Sequence, residues 1–380
     1  VDAVDPAVAG VLAQVIGVDM HNHVYPAGTE PHPHFGPPQG AKVSAPSQSS
    51  GSGGPNGSAQ QDRGPQQGPP GEDAKPEVHL NVADELRQSG LTAVCAAFVL
   101  DFAQNDKPGD AMRNYLHWMD ALDAQLERGQ MRAALGLKDL EMAYGSGKPT
   151  IVKSVEGAMF IEGRLESIHE VYQRGVRHLQ LLHMKQDLVS PLGDAAMTPA
   201  QFGGLTAFGA KVIQECNRVG MLVDLAHATP ETVLGAVKVA SVPFIVSHTG
   251  LDTRLGSNPK MGEMMKPHLI SKEHAKVVAG AGGVVGVWTK LADSPKEFVE
   301  NIQAMADAIG VEHVGIGTDG DLLSVRDGQG LNRNWQGMTQ GFFPTVVAEM
   351  MRQGFSVDEI GKVGGGNYCR VFGMATAMNA

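Results

Sequence analysis

Apolar residues along this chain fall into two alternating patterns. Short continuous apolar runs, bounded by Gly, Pro or polar clusters, predict buried strands. They lie at 15–20, 91–100 (LTAVCAAFVL), 150–157 (TIVKSVEG), 176–183 (VRHLQLLH), 221–227 (MLVDLAH), 242–248 (VPFIVSH), 283–288 (GVVGVW) and 313–319 (HVGIGTD). Between them, apolar positions recur at helical spacing over 110–128, 137–144, 164–174, 204–220, 271–282 and 294–310. The helix over 204–220 closes on Gly220, a favourable C-cap residue. TPETVLGAVKVA is a shorter helix that opens with a Thr cap and a Pro in its first turn. A last helical stretch begins near Ser356.

Strand and helix in alternation imply a parallel sheet. Eight such strands in 380 residues favour an α/β fold of the (β/α)8 TIM barrel type over an open doubly wound sheet. No GxGxxG opens a helix after an early strand, so a dinucleotide-binding fold has no support.

One stretch breaks the alternation. Residues 36–73 are Gly, Pro, Ser and Gln with almost nothing to bury. That composition cannot offset the entropy of ordering, so an irregular insertion is expected directly after the first strand. Residues 1–380 are therefore expected to form one barrel domain carrying the insertion. His32 and His34, in EPHPHFG, belong to the same loop.

Composition narrows the function class. The hydrophobic content, 42%, is ample for one large core. Thirty basic against 41 acidic residues give a net charge of −11, and no basic patch stands out, which disfavours nucleic-acid partners. No apolar run reaches the length of a membrane span. Cys95, Cys216 and Cys369 are widely spaced and none forms a CxxC, so a Cys-based zinc site or a disulfide framework is not expected. The chain starts at Val1, which fits either trimming or a removed signal and export. The compartment is otherwise open.

The chemistry lies at the strand ends. The first strand closes on His21 and His23, the third on Glu156, the fourth on His183, the fifth on His227, the sixth on His248 and the eighth on Asp319. In a barrel these ends meet on one face, the face that carries chemistry. Singly, a strand-terminal His is more often a hydrogen-bonded rim residue, and a strand-terminal Asp more often a helix cap. Jointly, a ring of imidazoles and carboxylates without thiolate suits Zn²⁺ or a similar divalent ion. The number of donors exceeds the need of one tetrahedral ion and fits two ions sharing a carboxylate. His21 and His23, two apart on a strand, share a face and can serve one ion. Asp19, on the same parity, is expected to support or pack rather than to ligate.

SVEG, the His of LLH, GLTAFGAKVIQECNRVGMLVDLAHAT, PFIVSHTG, GGVVGVW, HVGIGTDGD and GGGNYCRVF occur in the order found in the renal (membrane) dipeptidase family of zinc metallopeptidases. The chain resembles that family over nearly its whole length except the 36–73 insertion. The resemblance implies a (β/α)8 barrel with two zinc ions that hydrolyses dipeptides, some with a D-residue at the C-terminal position. It implies Glu156 as bridging carboxylate, His227 and His248 on one metal, and His21 with His23 on the other. It implies His183 as the group that steadies the developing oxyanion. It implies Asp319 as the acid/base for a metal-bridging hydroxide. Relatives form dimers, which implies a homodimer.

Two departures stand out. The family's HxD is here His21-Asn22-His23, a neutral imidazole in place of an anion, which leaves the site about one charge unit more positive. The family also holds the substrate carboxylate with an Arg after the SH motif, and His268 falls at that position. Arg254, Lys260 and Lys266 are neighbouring cations that could substitute, and a His alone is a weaker, pH-dependent anion partner. These departures leave room for a related amidohydrolase acting on another amide, a lactone or an ester. A barrel that binds without turnover is the remaining alternative.

Overall fold

The computed structural model describes residues 3–26, 29, 81–185, 187, 189–323 and 330–377. Eight parallel strands close into a barrel: β1 (Val18–His23), β2 (Ala93–Ala97), β3 (Thr150–Glu156), β4 (Val176–Gln180), β5 (Leu222–Asp224), β6 (Ile245–Thr249), β7 (Val284–Val287) and β8 (Val314–Ile316). β1 pairs with both β2 and β8, which closes the ring. A two-residue strand, β9 (Gly320–Asp321), continues alongside β1 beyond β8. Helices separate the strands, so the chain is a (β/α)8 barrel.

Every strand of the ring is almost wholly buried, which is why the sequence shows continuous apolar runs rather than alternation. Parity still sorts the side chains. Ile151 and Val155 of β3 pack outward into the large core under the helices. Val152, with Val18, Met20, Leu222, Ile245 and Val284, forms a second cluster with Tyr368 and Phe372 of the last helix, Asn367–Thr376. Glu156 lies on the same parity as Val152, at the far end of the strand.

Most predicted elements appear where the patterns put them, and the helix Asp110–Arg128 matches its predicted range. Several strands stop short of the C-terminal ends of their apolar runs, whereas β1 and β6 run past theirs. β4 stops at Gln180 and β5 at Asp224, so His183 and His227 each lie three residues beyond strand pairing. Ladder pairing ends there, but burial continues through Leu181, Leu182, Leu225 and Ala226. The helices Pro6–Leu12, Val82–Ser89, Pro259–Met265 and Phe342–Arg352 were not apparent in the sequence pattern. The stretch 36–73, with His32 and His34, lies outside the described residues, in sequence between β1 and Val82–Ser89. Among the described residues no helix is long and apolar enough to cross a membrane.

Candidate metal centre

Local backbone devices deliver the side chains to the barrel mouth. A register shift in β1 between Asp19 and Asn22 interrupts its alternation. The buried Asp19 carboxylate braces that shift, accepting from the His21 amide, Asn22 Nδ2, and the amide and hydroxyl of Thr318. Asp19 thereby ties β1 to the residue before Asp319. His227 and Asp319 both have left-handed backbones, with φ of 65° and 53°. Such conformations cost of order 1–3 kcal/mol each and persist where the surroundings fix them. The Asp319 amide is fixed on the His21 carbonyl at 3.1 Å, and the His227 carbonyl accepts from the Ala196 amide at 2.7 Å. Gly317 is required for this approach: a Cβ there would meet the Ser247 carbonyl oxygen at 1.7 Å.

The side chains converge on Glu156, which is buried. Its Oε2 faces His21 Nε2 at 3.5 Å and His23 Nε2 at 3.2 Å. Its Oε1 faces His227 Nε2 at 3.1 Å, His248 Nε2 at 3.4 Å and His183 Nε2 at 3.7 Å. Within each pair the ring nitrogens are close, 3.1 Å for His21–His23 and 2.9 Å for His227–His248. Asp319 Oδ1 stands 3.2 Å from His23 Nε2 and 4.0 Å from His21 Nε2.

Three of the far ring nitrogens are also held, which sets their tautomers, whereas His21 Nδ1 is buried without a hydrogen-bond partner among the described residues. His183 Nδ1 donates to Asp101 Oδ1 at 2.7 Å. His248 Nδ1 is 2.9 Å from Ser247 Oγ. His227 Nδ1 is 3.1 Å from His268 Nδ1, so His268 acts as a partner of His227.

Charge follows from this crowding. Burial alone would raise Glu156, but the surrounding imidazoles, His183 and His21 foremost, drive it well below the usual carboxylate range. Asp319 likewise resists burial and is held well below its ordinary value, chiefly by Lys290 and then His23. Both are carboxylates at neutral pH. His21 is pushed down to about 4 by burial and then by His248. Burial also opposes the charge on His23 and His183, yet the carboxylates beside them win. His23 rises to about 10 through Asp319 and Glu156, and His183 to about 8 through Glu156 and Asp101. His268 is pushed down to about 3 by burial and by His227, which leaves it neutral.

This donor set fits divalent metal. Ligand atoms cluster in three groups, His21 with His23 and Glu156, Glu156 with His183 and His227, and His21 with His248 and Asp319. Glu156 Oε2 is fully buried and accepts no hydrogen bond, a penalty that a bound cation removes. Neutral imidazole and carboxylate suit zinc and its neighbours.

The nominated cations make other contacts or are exposed. Arg254 turns to the helix Pro295–Ile309, donating to Asn301 Oδ1 at 2.5 Å and standing 3.7 Å from Glu300. Lys266 faces Glu263 at 3.8 Å, and Lys260 is exposed on the helix Pro259–Met265. Two charged residues of the site were missed in the sequence, Asp101 after β2 and Lys290 after β7. Each closely follows an apolar run, and reading the ends of those two strands like the other six would have found them.

Comparison with known proteins finds relatives over most of the chain. A dipeptidase of Clonostachys rogersoniana, Dipeptidase verJ, is 28% identical over 283 residues, covering 71% of this chain and 68% of that protein. An amidohydrolase of Pseudomonas aeruginosa shares the fold, with TM-score 0.70 at 19% identity over 97% of this chain and 99% of its own. A metallopeptidase of Rhodobacter sphaeroides, solved with a phosphinate mimic of L-Ala-D-Ala, superposes with TM-score 0.58 at 15% identity, covering 77% and 89%. Residues 69–380 match the membrane dipeptidase family, peptidase family M19. With that match over most of its length, and a barrel mouth lined by imidazole and carboxylate, the chain belongs to the membrane dipeptidase family of metallopeptidases.

Proposed function

We propose that the protein hydrolyses the amide bond of dipeptides, including those with a D-residue at the C-terminal position, using two zinc ions. One observation carries the reading: the two oxygens of Glu156 divide between two histidine pairs, His21 with His23 and His227 with His248. Those five residues would hold the metals, with Glu156 shared. Bound there, a divalent pair supplies Lewis acidity, which makes water acidic near neutral pH and polarises a carbonyl.

The chain's own groups do the rest. Asp319 is ionised and sits beside His23, so it can accept a proton from the attacking water. The same carboxyl then returns that proton to the leaving amine nitrogen. His183 keeps its Nδ1 proton on Asp101, and its Nε2 faces the centre. As an imidazolium it donates from Nε2 to the carbonyl oxygen as negative charge develops there. Burial of Glu156, His21 and His248 excludes bulk water and strengthens each of these interactions. Acceptance of a D-residue draws support from the phosphinate mimic of L-Ala-D-Ala held by the Rhodobacter sphaeroides protein.

The test is release of free amino acids from L-Ala-D-Ala and L-Ala-L-Ala by zinc-loaded protein, with Glu156→Gln alongside. Cleavage by the wild type, with metal and activity both lost in Glu156→Gln, is expected. A Glu156→Gln protein that retains its metal and turns over normally overturns the assignment.

A further inference from the structure

Resting on that reading, we propose that Lys290 is the residue of this chain that binds the carboxylate of the dipeptide substrate.

Reach limits which cation can serve. One residue separates the scissile carbonyl from the terminal carboxylate of a dipeptide, about 3.5 Å of chain. The cation that holds this carboxylate must therefore stand on the rim of the metal centre itself. Arg254 is engaged with Glu300 and Asn301, and Lys266 with Glu263. His268 spends its Nδ1 on His227. Besides the metal-facing His21 and His23, the cation that pairs with Asp319 among the described residues is Lys290, its Nζ 3.6 Å from Oδ2.

Its position suits a clamp. Lys290 follows β7 by three residues, at the C-terminal mouth of the barrel. The turn carrying it is pinned to the residue before Asp319: the amide and hydroxyl of Thr289 both donate to the Thr318 carbonyl, at 3.3 and 3.0 Å. The base of the side chain is thus fixed relative to the reacting groups, while the side chain remains about one-third exposed and open to a ligand. At 3.6 Å the Asp319 contact is longer than a hydrogen bond, and an ammonium has three donors. The ammonium can therefore take an incoming carboxylate while it stays near Asp319. An ammonium does not demand the bidentate geometry of a guanidinium, so it tolerates either configuration at the C-terminal residue.

The experiment compares kcat/KM for a free-acid dipeptide and its C-terminal amide, in wild type, Lys290→Met and Lys290→Arg. The acid-to-amide ratio is expected to favour the acid in wild type. It should fall about tenfold to hundredfold in Lys290→Met, the range for loss of a charge-assisted hydrogen bond, mostly through KM. Lys290→Arg should restore most of it. If Lys290→Met slows both substrates equally through kcat, with a shifted pH profile, Lys290 only tunes Asp319 and the proposal fails. If wild type cleaves both and the ratio survives in Lys290→Met, another group binds the acid, and the dipeptidase reading stands without this residue. If zinc-loaded wild type cleaves neither, the functional reading falls and this assignment falls with it.

Discussion

Asp101→Asn probes whether His183 depends on a partner buried behind it. The Asp101 carboxylate accepts three hydrogen bonds, from His183 Nδ1 at 2.7 Å and from the amides of Met184 and Lys185 at 2.9 and 2.8 Å. Asparagine offers one acceptor oxygen and, on the other side, a donor. With its oxygen on the two amides, its NH₂ faces His183 and forces Nδ1 to become an acceptor. The imidazolium is then disfavoured, and His183 loses part of what raises it to about 8. Outer partners of this kind are typically worth about 10–100-fold in activity, so kcat/KM should fall by that factor, mainly in kcat. Loss of one hydrogen bond to a charged group should also cost about 1.5–3 kcal/mol of stability, a fall of several degrees in Tm. The assay is steady-state hydrolysis across pH, with thermal unfolding on the same samples. A variant whose Tm falls but whose kcat/KM stays within about twofold of wild type refutes the reasoning, because Asp101 would then only anchor the loop.

Asp319→Asn should keep its metal and lose about 10²–10⁴-fold in turnover, as expected for a general acid/base; equal loss of metal, read by elemental analysis, would make it a ligand instead. Metal uptake should be coupled to proton release. His23 in the metal-free chain lies near 10, so at pH 7 a metal must displace its proton at a cost of about 4 kcal/mol. Apparent zinc affinity should climb about tenfold per pH unit between pH 7 and 9; calorimetry that finds a flat profile contradicts this. Asp224, beneath the centre, accepts from His178 Nε2 at 2.9 Å and from the amides of Ala226 and Ser247. Burial opposes its charge, but His178 holds it down at about 2. A lowered carboxyl stabilises the fold above its ordinary value near 4, and that contribution disappears as pH falls through about 2. The stability advantage of wild type over Asp224→Asn should thus shrink by about 2 kcal/mol between pH 5 and pH 2; a constant gap in urea titrations would argue against it.

How much of this was legible before any coordinates depends on the physics of each element. The strands were readable because both faces are buried, and His21, His23 and Glu156 could be grouped because they end strands. His183 and His227 were found for a weaker reason, since the apolar run continues past the last ladder bond. Nothing in the sequence shows that His227 and Asp319 sit in left-handed backbone, because that conformation is imposed by tertiary contacts. The helix Phe342–Arg352 escaped for a related reason. Phe342, Phe343, Pro344, Val346, Val347 and Met350 are all buried, and the polar side is reduced to Thr345, Glu349 and Arg352, of which Glu349 is itself buried. The cations near 254–266 drew attention by charge and by closeness in sequence to the position of the family's Arg, but Arg254 pairs with Glu300 and Asn301, far along the chain, and Lys266 with its neighbour Glu263.

The central claim is that Glu156 and the two histidine pairs form a metal centre on which dipeptide hydrolysis depends. It is tested most directly by stripping the full chain with a chelator, then adding zinc back stepwise while recording hydrolysis of L-Ala-D-Ala. The account predicts no activity in the stripped protein, and restoration that saturates at about two ions per chain. Undiminished hydrolysis by protein shown to be metal-free would contradict it, as would fully loaded protein with no activity.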